Sequence, residues 1–198
     1  LTTPIADAQV ENESLVNVPN WLPLAARIQD DDWLHPDRVE VLDHHQELDL
    51  EGGVLHRRLR YRDARGRVLR WEERRIVSMA DKHLAALQVT LRPENWGGSL
   101  SVRAGLDGGV TNAGVERYQD LRGDHLETLE CAQPGADTLL LRSRFAQARR
   151  ELALAQRLRV QGEGGESAEE WTTDLAGAHP AQEVRLTLAE GEGVTLEK

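Results

Sequence analysis

Apolar and polar residues alternate with a period of two along most of this chain. Leu55, Leu59 and Tyr61 share one parity, and His56, Arg58, Arg60 and Arg62 share the other. Leu87, Val89 and Leu91 alternate with Gln88 and Thr90, and Val184, Leu186 and Leu188 with Arg185 and Thr187. Leu100, Val102, Ala104 and Leu106 stand against Ser99, Ser101 and Arg103. Leu152, Leu154, Leu158 and Val160 stand against Arg157 and Arg159. Successive side chains of a strand point to opposite faces, so this pattern predicts strands with one buried and one wet face. Such strands belong to antiparallel sheets rather than parallel ones.

The turn chemistry agrees. Glu51-Gly52-Gly53, Asp63-Ala64-Arg65-Gly66 and Asp107-Gly108-Gly109 supply residues that tolerate positive φ between strand candidates. Segments 40–50/54–62 and 54–63/67–78 therefore read as hairpins. Helix competes over residues 115–129, where Gly123 interrupts the spacing, and over the Ala-rich residues 145–156. Alternation from Leu152 onward predicts a strand there, after a short turn. The expected fold is all-β, a large antiparallel sandwich of about a dozen strands with few short helices. It forms a single domain over residues 1–198. Residues 162–167 read as a flexible acidic loop inside it, and residues 193–198 as a strand stopped midway, from which a longer natural chain is expected.

Composition narrows the function. A formal charge of −10 opposes non-specific nucleic-acid binding, which needs a basic footprint. The basic run from His56 to Arg62 is followed by Asp63, Glu72 and Glu73 and reads as a solvated strand face with cross-strand ion pairs. No apolar run approaches the ~20 residues that span a bilayer, and no basic-then-apolar leader stands at Leu1. Neither a membrane nor a nucleic acid is an expected partner. Cys131 is the single cysteine, so no internal disulfide forms, and a lone thiol fits a reducing, cytoplasmic setting. No adjacent His or basic residue lowers its pKa, so a structural role is expected.

Candidate chemistry is sparse. Asp43, His45, Glu47 and Asp49 fall on one strand face, but residues two apart lie ~6.5–7 Å from each other along a strand. A hydrated sheet face is expected there rather than a metal site. No Gly-x-Ser-x-Gly, Walker loop or Gly-x-Gly-x-x-Gly occurs, and no catalytic residue, metal or cofactor is assigned. Of the five tryptophans, Trp71 reads as core. Trp21 in Pro19-Asn20-Trp21-Leu22-Pro23 and Trp96 in Pro93-Glu94-Asn95-Trp96-Gly97 lie in turns beside an asparagine. An indole is a platform for a sugar ring as well as a core filler. Asn20, Trp21, Asn95 and Trp96 are therefore the candidates for contact with a substrate or a partner domain.

A series of motifs occurs in a recognisable order. It runs Leu15-Val-Asn-Val-Pro-Asn-Trp-Leu-Pro-Leu24, Arg38-Val-Glu-Val-Leu-Asp43, Gln46-Glu-Leu-Asp-Leu50 and Gly53-Val-Leu55. Val77-Ser-Met-Ala-Asp81, His83-Leu-Ala-Ala-Leu87, Pro93-Glu-Asn-Trp96 and Val110-Thr-Asn-Ala-Gly-Val115 follow. Together they resemble the amino-terminal domain of glycoside hydrolase family 65, which holds the kojibiose, trehalose and maltose phosphorylases and related trehalose hydrolases. The resemblance implies a galactose-mutarotase-like super-sandwich that packs on a catalytic (α/α)6 barrel beyond residue 198 and lends a loop to its active site. It implies that a Glu of the barrel is the general acid, with phosphate or water attacking the anomeric carbon with inversion. The implied partners are that barrel and an α-glucoside disaccharide, with inorganic phosphate as co-substrate in a phosphorylase; exposed sheet edges make a second copy in a homodimer a further candidate partner. A free-standing carbohydrate-binding sandwich and a dimerisation module are the competing readings.

Overall fold

A computed structural model of the chain describes residues 2–5, 8–11, 15–112, 123–163 and 168–198. Among the described residues there is no helix, and the strands are antiparallel wherever their pairing is defined. Expectations for residues 115–122 and 164–167 fall on segments outside the described residues. The strands are β1 (Thr2–Ile5), β2 (Ala8–Glu11), β3 (Leu24–Ile28), β4 (Glu40–Asp49), β5 (Val54–Arg62), β6 (Val68–Val77), β7 (Ala85–Pro93) and β8 (Gly98–Gly105). They continue as β9 (Leu126–Gly135), β10 (Thr138–Phe145), β11 (Glu151–Arg157), β12 (Arg159–Gly162), β13 (Ala168–Asp174), β14 (Ala181–Leu188) and β15 (Val194–Glu197). The chain divides into two compact units.

The larger unit comprises residues 24–104, 157–172 and 182–198. Its two sheets are the layers of a sandwich, with strand orders β12-β15-β7-β6-β5-β4 and β13-β14-β8-β3. The alternation seen in the sequence becomes its inner face. Leu59, Trp71 and Leu91 are direct cross-strand partners and all are buried. Tyr61 meets Leu69 in the next row, with its ring edge-on to Trp71 at 6.5 Å between centroids. Leu100, Val102, Val184, Leu186 and Leu188 bury the corresponding parity of the smaller sheet. Removing these side chains from water stabilises the unit by about 1.5–3 kcal/mol each.

Both predicted hairpins form, β4 on β5 and β5 on β6. Gly53 and Gly66 take φ of 65° and 80° in their turns, the left-handed conformation that favours glycine. The outer face carries the expected ion pairs, Arg58 with Asp43 at 3.3 Å and Arg62 with Glu40 at 2.9 Å. Arg60 grips the Glu94 carboxylate through both Nε and Nη2. Arg57 departs from the expected solvated face. Its parity sends it inward, where it donates to the buried Glu73 at 2.7 Å.

The smaller unit comprises residues 1–23, 105–156 and 173–181. It holds the β1-β2 hairpin and the sheet β11-β10-β9. Leu106, Leu139 and Leu141 are its buried cluster, with Trp21, Cys131 and Leu154 packed against them. The strand predicted from Leu152 is present as β11 after a turn at 146–150. The alternating run from Leu152 to Val160 is two strands rather than one, however, because Leu154 joins the smaller unit and Leu158 and Val160 join the larger. Period-two patterning does not register a change of sheet, since both strands keep the same in-out parity.

Candidate functional site

The smaller unit carries a shallow cavity of about 440 Å³, lined by residues 17–21 with Val110 and Thr111. Two irregular segments build it, 15–23 and 106–112. They are stitched by an isolated bridge in which Asn20 and Asp107 exchange both backbone hydrogen bonds, at 2.8 and 2.9 Å. Asn17 closes the other end. Its Nδ2 donates to the Thr111 carbonyl at 3.0 Å, and its backbone N–H donates to Asn112 Oδ1 at 2.8 Å.

The glycines after Asp107 serve a purpose different from the one expected. They have no positive φ. A Cβ on Gly108 would stand 3.1 Å from both the Ala178 carbonyl and Leu141, and one on Gly109 would lie 2.7 Å from the His179 ring. Close approach rather than turn conformation favours glycine here: a Cβ at Gly108 would press on the Ala178 carbonyl and Leu141, and one at Gly109 would have to turn the exposed His179 ring aside. Asp107 accepts from the Gly109 N–H at 2.8 Å and faces His179 Nδ1 at 3.0 Å, so its carboxylate is engaged in holding the segment.

His125 anchors the cavity loop from behind. It is buried, its Nε2 meets the Asn17 carbonyl at 2.5 Å, and its Nδ1 meets the Gly123 carbonyl at 2.9 Å. Its ring stacks on Phe145 at 6.4 Å. A loop held at Asn17, Asn20 and Asp107 is preorganised, which lowers the entropy a ligand must otherwise take from it.

Two of the four sequence candidates line this cavity. Asn20 Oδ1 accepts from the Leu22 N–H at 3.0 Å, an Asx turn that leaves its Nδ2 without a partner among the described residues. The Trp21 indole is half-buried against Leu106, Leu139 and Leu141, and its Nε1 likewise has no partner among the described residues. The lining thus offers an aromatic side chain and two N–H donors without a partner among the described residues, a set suited to hydroxyl oxygens. None of the described residues in its lining is a carboxylate, and the set it offers is suited to holding a polar ligand.

The other two candidates belong to the larger unit and are occupied there. Asn95 accepts from the Val68 N–H at 2.7 Å and donates to the Gly66 carbonyl at 2.9 Å, pinning the β5–β6 turn. Trp96 is 7% exposed, with its indole N–H on the Val68 carbonyl at 3.0 Å. Sequence patterning passed over Asn17, Thr111, Asn112 and His125. The first three lie in two of the ordered motifs, and that shared membership was the available signal.

Among the described residues no group of three or more His, Cys, Asp or Glu side chains could hold a metal. Asp43 and His45 face Arg60 and Arg58 across the strand pair, and Asp49 caps its own turn through Gly52 and Glu51. Cys131 Sγ donates to the Gly177 carbonyl at 3.3 Å, and burial, then the Glu130 charge, pushes the thiol pKa up.

Comparison with known proteins places this architecture. The family model described as glycosyl hydrolase family 65, N-terminal domain, matches residues 2–198. An uncharacterised glycosyl hydrolase of Mycobacterium tuberculosis is 39% identical over 198 residues, which is all of this chain and 15% of that protein. A kojibiose phosphorylase of Caldanaerobacter subterraneus subsp. tengcongensis is 29% identical over 154 residues, 78% of this chain and 19% of the enzyme. A solved chain assigned as a kojibiose phosphorylase from human microbiome superposes with a TM-score of 0.71 at 15% identity, covering 92% of this chain and 22% of that one. The chain therefore spans about a fifth or less of the proteins it matches.

Proposed function

The chain belongs to glycosyl hydrolase family 65 as its N-terminal domain, and on that premise we propose that it is the non-catalytic sandwich of an α-glucoside phosphorylase or hydrolase. Its task is to pack on the catalytic barrel and to present the loop 17–21 at the mouth of the active site. The carrying observation is the preorganised cavity in which, among the described residues, Asn20 Nδ2 and Trp21 Nε1 have no partner and no carboxylate lines the wall. Such a site binds hydroxyls without cleaving a bond, so protonation of the leaving oxygen and attack by phosphate or water are left to the barrel.

The substrate class proposed is an α-linked glucose disaccharide such as kojibiose, trehalose or maltose, with inorganic phosphate as co-substrate in the phosphorylase case. A relative bearing the name kojibiose phosphorylase supports that class. No helix among the described residues is long and apolar enough to cross a membrane. The proposed location is the cytoplasm, which the single free thiol favours.

Asn20→Asp keeps the oxygen that caps Leu22 and removes the free donor, so it tests the loop without dismantling it. In the natural polypeptide the expected result is a KM for the disaccharide raised about tenfold, in line with one lost hydrogen bond, with kcat little changed. Trp21→Phe, which keeps an aromatic ring against Leu106, Leu139 and Leu141 and removes the N–H, is expected to act in the same direction. Unchanged KM in both variants overturns the loop's role. Tight binding of the disaccharide by the chain alone, lost in Asn20→Asp, favours the free-standing carbohydrate-binding reading instead.

A further inference from the structure

The inner face of the six-stranded sheet is buried along most of its length but not at one end. Leu48 remains more than half exposed although it lies opposite the half-buried Leu55. Just beyond the strand ends Leu50 is 84% exposed and Met79 97%, and Val77, on the inner parity of β6, is also largely in solvent. The register gathers them. Asp49 pairs with Val54, Val54 with Ile76, and Val77 with Ala85, so Leu48, Leu50, Val77 and Met79 stand at the same end of the sheet. Scattered exposed leucines need no explanation, but apolar side chains gathered in a rim at one end of a sheet mark an interaction surface.

A charged group borders this rim. Leu48, Leu55 and Arg75 form one cross-strand row, and Arg57 and Glu73 pair in the next. The buried Glu73 accepts from Arg57 at 2.7 Å and from Arg75 at 2.6 Å. Two guanidiniums meet one carboxylate, leaving one positive charge. Both arginine side chains stay partly open to solvent, 32% for Arg57 and 24% for Arg75. A complementary occupant thus brings apolar side chains together with a carboxylate.

A second copy of this chain does not meet that requirement, because symmetric pairing through the rim would set one positive cluster against another. The matched proteins supply a better source. This chain accounts for 15% of one relative and 22% of a solved chain, so most of each polypeptide lies outside the matching segment. We infer that the rim of Leu48, Leu50, Val77 and Met79 seats a segment of the same polypeptide from outside residues 1–198, apolar and carrying an Asp or Glu that reaches Arg57 and Arg75. This rests on the reading of the chain as one domain of a longer enzyme, and it assigns the docking face.

The test places a photoreactive p-benzoylphenylalanine at Leu50 in the natural polypeptide, with isotopically light and heavy protein mixed. The expected product is a cross-link within one molecule to a peptide outside residues 1–198 that contains an acidic residue. Cross-links only between copies, only within residues 1–198, or none at all overturn the assignment. As a second measurement, Leu50→Asp and Met79→Asp change side chains that make no core contact. Hydrogen exchange over residues 40–50 and 76–84 is expected to rise at least tenfold in those variants of the natural polypeptide, and unchanged exchange overturns the docking. If these fail while Asn20→Asp still raises KM, the rim is wrong and the functional reading stands. The converse result removes the loop's role and keeps the docking face.

Discussion

The indole nitrogen of Trp96 donates to the backbone carbonyl of Val68 at 3.0 Å, so a turn tryptophan closes the β5–β6 hairpin from inside the sandwich. The same carbonyl accepts from the Glu94 N–H at 2.9 Å, so it is not orphaned when the indole is removed. Trp96→Phe is expected to cost about 2 kcal/mol, one hydrogen bond plus the small void left by the lost ring, and Trp96→Ala about 3–5 kcal/mol through the larger cavity it leaves. Urea denaturation of both variants measures the difference. A Trp96→Ala variant as stable as the parent refutes the core role.

Glu73 is 3% exposed and serves two arginines and the Trp71 N–H at once. Removing it strands two guanidiniums beside the core. Glu73→Ala is expected to lose about 3–5 kcal/mol. Replacing Arg57, Glu73 and Arg75 together by apolar residues of similar volume is expected to recover most of that, because desolvation of the charges is relieved as well. Denaturation midpoints of the single and triple variants test the contrast, which fails if the triple variant is the less stable one.

The hydrogen bonds and charge of Arg60 hold the Glu94 carboxyl below the usual range, and Arg144 does the same for Glu127. A lowered folded-state pKa contributes stability that is fully present above the unfolded value of about 4.3 and is lost as pH falls through the folded value. Thermal midpoints are therefore expected to stay level from neutral pH to about 5 and then decline. Arg60→Gln should shallow that decline. An identical acid slope in parent and variant would show that the Arg60–Glu94 pair makes no contribution.

Burial raises the Cys131 thiol pKa, and its Sγ–H is directed at the Gly177 carbonyl. Less thiolate at a given pH means slower alkylation. Iodoacetamide at pH 8 is expected to label the folded chain several-fold more slowly than the urea-unfolded chain. Equal rates would place the thiol in open solvent.

His125 links the Asn17 and Gly123 carbonyls, and no other described residue bonds the Asn17 carbonyl. His125→Ala is expected to loosen residues 15–21 locally while leaving the larger unit intact. Hydrogen exchange resolved by peptide reads this directly. Faster exchange confined to the loop is the expected pattern, and unchanged exchange there would remove the anchoring role.

Much of the fold was legible because period-two alternation is a local property. Leu87, Val89 and Leu91 declare a buried face without reference to any other strand. The β5–β6 turn was legible for the same reason, since Gly66 supplies the positive φ that the turn uses. Local patterning could not tell Arg57 from Arg58. Both sit in one basic run, and only parity counted against a cross-strand carboxylate sends the first inward to Glu73. Nor could it separate Asn20-Trp21 from Asn95-Trp96, since each pair is an asparagine and a tryptophan in a turn.

The sequence by itself determined the all-β class, the two β4–β6 hairpins, most inward-facing residues and, through motif order, the family. Each follows from side-chain alternation, turn conformation or linear spacing, which a chain carries before it folds. The tertiary structure decided which asparagine keeps a free donor, which indole is enclosed, where the run from Leu152 to Val160 changes sheet, and which end of the inner face stays bare. Those outcomes depend on what lies opposite a residue after strands distant in sequence have paired. Hydrogen-bond saturation and burial are properties of that pairing, not of the residue.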